Sequence, residues 1–346
     1  MTAIKWDQGT AYDFFTSFKV LCLASEFGLR PSWAAGVRQR IPSPRREFLE
    51  RFFSFAPVPV VWLSGLPAPK DASVVLQSLS AMPPAERLPS LVYNAEIPPE
   101  ARLVLSEVAE RGSWTNREQE FLGANILPQG RKLAPVVLNN LLELWSTSEE
   151  SGKRLLEALE EYQRAYFAEE EMRIKPALQR SMDEAQELAS RMSTAALVEE
   201  LSHGVHLELA SEPDELVLIP CYWITPLVWI DRAAPGKVAM LFGARPASES
   251  IVHGSCAPDG LVNALKSLAD PTRLLILRYL SEKPMPPGEL ARRLHLRPPT
   301  VIHHLRGLRL AGLIYVSVGD SNERCYKARL ETLDRLTNLL KEFLNP

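Results

Sequence analysis

The sequence predicts an α+β chain, mostly helical: an N-terminal helical domain with a small antiparallel sheet, followed by a C-terminal winged helix-turn-helix domain. Three observations carry this. Apolar residues recur at helical spacing through most of the first half, the period drops from about 3.6 to about 2 between residues 205 and 242, and the last quarter alternates short amphipathic runs with Pro and Gly breakers. With 346 residues the chain is long enough for more than one core. The expected division is residues 1–246, a linker at 247–258, and 259–346.

In chain order, Phe14, Phe18, Leu21 and Phe27 give the first helical face, and Pro42 and Pro44 introduce a second helix that runs to Phe55. Prolines at 57, 59, 67, 69, 83, 84, 98 and 99 then cut the chain into short helices, with residues 101–111, 117–124 and 134–145 the clearest. The longest periodic stretch is 151–192. Leu155, Leu159, Tyr162 and Tyr166 precede Pro176, which is expected to end or kink the helix, and Leu178, Met182, Ala185 and Leu188 follow it. The acidic run Glu169 to Glu171 reads as a solvated helix face rather than a metal or base site.

Residues 205–209, 215–219, 227–230 and 237–242 alternate as short strands, expected antiparallel because their connections are too short for crossover helices. Tyr222, Trp223 and Trp229 could wall a cavity for an apolar effector, but buried aromatics more often form core. The stretch Ala247 to Pro258 is small, polar and Pro-bounded, as a linker would be. His203, His206, Cys221, His253 and Cys256 are too loosely spaced for a zinc site, so no metal and no cofactor is expected.

Asp270 and Pro271 open a helix through Leu280, capped by the Asp side chain and started by the Pro. After the breaker Lys283 to Pro287, Gly288 to Leu296 gives a short helix with Leu290 and Leu294 on one face. A turn at Arg297 to Pro299 leads to Thr300 through Gly312, where Val301, Leu305 and Leu308 form a core stripe. On its polar side Pro299, His303 and Arg306 form one row, and Thr300, His304 and Gly307 the next. Such a surface suits a helix entering the major groove, where short side-chain donors read base edges and N-terminal amides favour phosphate. In that setting His303 and His304 are donors to phosphate or base edges more readily than a proton switch. Gly312 ends the helix, and residues 313–318 and 323–328 flank a turn at 319–322 as a β-hairpin wing carrying Arg324 and Lys327.

These pieces resemble the ArsR-type family of bacterial winged-helix regulators. The resemblance rests on Leu268-Ala-Asp-Pro-Thr-Arg273, Gly288-Glu-Leu-Ala291, Pro299-Thr-Val301 with His303-His304-Leu305, and Ala311-Gly-Leu313. It implies a homodimer that binds double-stranded DNA, usually as a repressor, with Pro299 to Leu310 as recognition helix. Arg297, Pro299, Thr300, His303, His304, Arg306, Arg324 and Lys327 are the implied DNA-binding residues. Arg297 and Ile302 depart from the family's usual small polar residues at those positions, so base preference does not carry over. The thiolates with which well-known members bind metal are missing from the helix at 288–295. The front region also resembles the helix-plus-sheet region that precedes the winged helix in some longer members, which implies a sensor or interaction role with an unidentified small-molecule effector.

Leu261, Leu265 and Leu268, and in the tail Leu333, Leu336, Leu340 and Phe343, form stripes that fit intrachain packing or a dimer seam; the resemblance favours the seam. Charge is divided unevenly, with 14 Lys and Arg against 9 Asp and Glu from residue 258 onward in a chain whose net charge is −3. The basic part is therefore the part with the DNA motif. Cys22, Cys221, Cys256 and Cys325 form no disulfide-like pattern, and neither a basic-then-apolar leader nor a membrane-length apolar run is present, which predicts a soluble, cytoplasmic protein. Nucleophile-elbow, phosphate-loop and HExxH motifs are missing too, so no enzyme is predicted. The rival readings are a front-domain enzyme, or a protein-interaction module, recruited through a winged helix that is not itself a transcription factor.

Overall fold

A computed structural model describes residues 2–127, 132–207, 213–252, 254, 257–318 and 324–345. A short strand, β1 (Ala3–Trp6), leads into α1 (Thr10–Cys22), a helix buried on nearly every side at the centre of the front core. Around it pack α2 (Pro31–Arg38), α3 (Ser43–Phe55), α4 (Val60–Ser64), α5 (Ala72–Ala81) and α6 (Pro84–Val92). The layer is completed by α7 (Pro99–Arg111), α8 (Asn116–Asn125), α9 (Pro135–Ser146) and α10 (Ser148–Tyr162). The prolines are starts rather than mere interruptions: α2, α3, α6, α7 and α9 each carry one in the first two positions, where a missing N–H costs nothing. The core itself is aromatic, with the Tyr162 ring in contact with Phe14, Phe18 and Phe167, and Phe14 also against Phe167.

A π-helical turn, Gln163–Phe167, joins α10 to α11 (Ala168–Ala189), which runs through Pro176 without ending there. Pro176 lies on the exposed side, and Met172, whose carbonyl it leaves without its helical partner, is exposed too, so water can serve that oxygen. The acidic run is also not a solvated face. Only Glu169 is exposed: Glu170 is fully buried against Arg173 and accepts from Trp223 Nε1 at 3.1 Å, while Glu171 binds the Thr10 hydroxyl and accepts from the Ala72 amide at 3.2 Å.

After α12 (Thr194–Leu201) come β2 (Val205–Leu207), β3 (Glu215–Cys221), β4 (Trp229–Ala234) and β5 (Lys237–Gly243). The front sheet has the order β1-β3-β5-β4, with β1 and β5 parallel to β3 and β4 antiparallel to β5. It is mixed, not antiparallel as expected. The reason is that β4 itself makes the crossover: the chain descends along it at the sheet edge, turns at Gly236 with φ +73°, and ascends as β5 beside β3. Val217, Ile219, Ala239 and Leu241 face the helical core, and Leu216, Leu218, Val238 and Met240 face a smaller core under α11 and α12. Burial on both faces explains the nearly unbroken apolar runs.

The C-terminal region comprises α13 (Asp259–Leu268), α14 (Pro271–Glu282), α15 (Pro287–Leu294), α16 (Pro298–Leu310), β6 (Ile314–Val318), β7 (Arg324–Ala328) and α17 (Glu331–Leu344). The expected wing turn at 319–322, Glu323, His253, Cys256 and the end of the first expected strand at 208–209 lie outside the described residues. β6 and β7 pair antiparallel, with Ile314 opposite Ala328 and Tyr315 opposite Lys327. The strand beginning at Val205 belongs here and not to the front sheet: β2 pairs parallel with β6, Val205 opposite Val316. The stretch 247–252 is no free tether either, because Ile251 is buried in the front core and its amide donates to Asp259 at 2.8 Å.

Candidate nucleic-acid interface

Local chemistry fixes each helix of the C-terminal unit. The Asp270 side chain caps α14 by accepting from the Arg273 amide at 3.0 Å, and that bond holds its carboxyl below the usual carboxylate range. His295, with φ +52°, ends α15, and Gly312, with φ +69°, ends α16. At each end the next amide reaches back five residues: Leu296 to the Ala291 carbonyl and Leu313 to the Leu308 carbonyl, both at 3.0 Å. The end of each helix is thereby closed by its own backbone. Val301, Leu305 and Leu308 are buried in the core beneath, as their spacing requires.

The opposite side of α16 exposes Arg297, Pro299, Thr300, Ile302, His303 and Arg306. His304 stands apart from its expected companions. Its side chain is 14% exposed, with Nδ1 3.8 Å from the Asp270 carboxylate, and burial pushes its pKa down. Gly307 also turns inward: a β-carbon there would lie 2.6 Å from the Arg273 guanidinium carbon. The second predicted row thus faces α14 after Thr300, leaving Thr300, His303 and Arg306 as the outward hydrogen-bonding groups of the helix. Arg297 precedes α16 without capping it, and the first two helical positions are Pro298 and Pro299, which have no N–H. The first available amide, Thr300, already donates to the Arg297 carbonyl at 3.0 Å. An anion at this end would have to be held by side chains, not by the helix amides expected from sequence.

On the wing, Arg324 and Lys327 are both exposed but project to opposite faces of β7, as residues three apart on a strand must. Arg324 is at the turn end. Lys327 sits opposite Tyr315 on the face turned away from the core, while Tyr326 and Ala328 face inward.

The far end of α16 is tied to the front region. Arg309 donates from Nη1 to the His203 carbonyl and from Nη2 to the Ser202 carbonyl, both at 2.7 Å, so its cation meets the C-terminal end of α12. Gly204, with φ +96°, lets the chain pass so close to Tyr315 that a β-carbon would lie 2.8 Å from its ring. The Val316 amide donates to the Gly204 carbonyl at 2.8 Å. Glu200 accepts from Arg329 at 3.4 Å and from Arg335 at 3.1 Å. Sequence reading missed this junction because no motif marks it, although Arg309 does continue the helical row 302, 306.

Residues 270–316 match the family model described as bacterial regulatory protein, arsR family. The C-terminal region is an ArsR-type helix-turn-helix. The match spans α14, α15, α16 and the first residues of β6, so the exposed row of α16 lies on the second helix of an ArsR-type helix-turn-helix pair. Such a unit points to DNA binding and transcription regulation. A comparison with curated proteins gives no match for the chain. No described helix is long and apolar enough to cross a membrane.

Proposed function

We propose that the protein is a cytoplasmic transcription regulator, a repressor that occludes its promoter, binding operator DNA as a homodimer while the front 246 residues receive an effector or partner signal. The observation that carries the reading is the outward row of α16. Thr300, His303 and Arg306 are donors or acceptors of the length that reaches base edges, and exposed Ile302 between them suits a thymine methyl. Arg297 and Arg324 flank the row and serve phosphates, Lys327 more weakly because of its face. His304 acts as a positioning residue, packing α16 against the Asp270 cap rather than touching DNA.

A two-fold partner is supported by exposed apolar side chains around the C-terminal helices: Leu265 on α13, Leu274 on α14, and Leu333 and Phe343 on α17. Their stripe companions Leu261 and Leu336 are buried within the chain, so each stripe divides between its own core and a free surface. A signal need not travel through the segment 247–258 or the dimer, because the Arg309 junction joins α12 to α16 within one chain.

Selection of bound fragments from random duplex DNA, at low and at moderate salt, tests the reading. Enrichment of a two-fold-related motif is expected, with affinity falling as salt rises. No retention of duplex even at low salt overturns it.

A further inference from the structure

A cavity of about 300 Å³ opens between β4, the edge strand of the front sheet, and the helical core. That volume is at the lower end of small-ligand sites. Its walls are apolar: Phe55 from the end of α3, Ile97, Ile126, Leu141 from α9, and Trp229 from β4. The cation on its lining, Lys19, is committed elsewhere, donating to the Phe53 and Ala56 carbonyls at 2.6 and 2.9 Å.

Asp231 also lines the cavity, two residues beyond Trp229 and so on the same face of β4, and it is only 7% exposed. The neighbouring Arg232 amide donates to its carboxylate, and the charge that raises its pKa is a second carboxylate on the same lining, Glu96. Among the described residues, neither acid has an ion-pair partner. A carboxylate held in apolar surroundings beside a like charge is costly unless a cation joins it. Burial and Glu96 together push the Asp231 carboxyl up to about 6, so a cation beside it would relieve a cost that the site otherwise carries.

We infer that this cavity binds a small lipophilic amine as its ammonium ion, with Asp231 as counter-ion, Glu96 as an outer acid and Trp229 as an aromatic wall. Carboxylate, aromatic ring and apolar walls together recognise organic cations, and the two acids repel an anion of the same shape. The inference deepens the reading of the front region as signal receiver, and depends on that reading only for the purpose of binding.

Calorimetry on the full chain with 4-phenylbutylamine, its alcohol analogue and its carboxylic acid analogue tests it. Saturable one-to-one binding of the amine alone is expected, weakened at least about tenfold in Asp231→Asn and by roughly two- to fivefold in the exposed-site variant Glu96→Gln. Circular dichroism shows which variants fold, and Glu96→Gln carries the test if Asp231→Asn does not. Equal binding of amine and alcohol, no saturable heat with the amine, or unchanged affinity in the folded variants overturns the site. Duplex binding measured on the same samples separates the two ideas: its loss with amine binding intact defeats only the regulator, and the converse defeats only the cavity.

Discussion

The two ends of α16 are opposite in kind. From Arg297 to Arg306 its outer side is open, with Arg297, Thr300, His303 and Arg306 exposed; its last turn is bound to another part of the chain by the bidentate contact of Arg309 with the Ser202 and His203 carbonyls. One helix therefore joins an exposed polar surface to an internal clamp. Arg309 lies about two and a half turns from Thr300 on the same continuous helix, so the clamp and the exposed row belong to one element.

The strongest way to break the comparison is to remove what makes the helix rigid. Leu305→Ala leaves a cavity under α16 and should cost about 2–5 kcal/mol, read as loss of the C-terminal unit's unfolding transition. The open end is tested by Arg306→Ala, which should lose about 1–3 kcal/mol of discrimination between operator and altered duplexes while leaving stability unchanged. The clamped end is tested by Arg309→Met. Its two carbonyls lose charged hydrogen bonds, so amide exchange in β2 and β6 should accelerate by the equivalent of about 1–3 kcal/mol, with duplex preference retained. Equal exchange in variant and parent would mean that the clamp does not hold the strands.

Two smaller effects sharpen the contrast. Arg324→Ala should weaken all duplexes alike and reduce the salt slope by about 1, with Lys327→Ala doing less. Acid should loosen the clamp. Desolvation, with the Arg309 and Arg329 guanidiniums nearby, pushes the His203 pKa down to about 4, so the folded state favours the neutral ring. Its contribution is fully present above the unfolded value of about 6.5 and is lost as pH falls from there through about 4. His203→Asn, tolerated at φ +54°, should flatten the pH dependence of β2 exchange in that window.

The C-terminal unit was legible because its signals are local. Asp270 and Pro271 start a helix, Gly312 stops one, and Val301, Leu305 and Leu308 mark the buried stripe wherever the helix sits. What sequence could not supply was the neighbour. His303 and His304 differ by one residue and about 100° around the helix, and only the position of α14 decides that one is outward and the other faces Asp270. Strand pairing failed for the same reason. The alternation at 205–207 and at 215–221 identifies strands, but nothing in it says that the first joins β6 and the second lies parallel to β5. β1, four residues long, gave too short a pattern to register at all.

The pairing of β2 with β6 also bears on how the molecule can be divided. Within the described residues the wing hairpin is closed on one side by Met285, which exchanges backbone hydrogen bonds with Tyr326, and on the other by β2. A fragment beginning at Asp259 would retain the first neighbour and lose the second, baring the β6 backbone to solvent. Exposed strand edges recruit other strands, so that fragment should self-associate by edge pairing, whereas one beginning at Ser193 would bring its own cover.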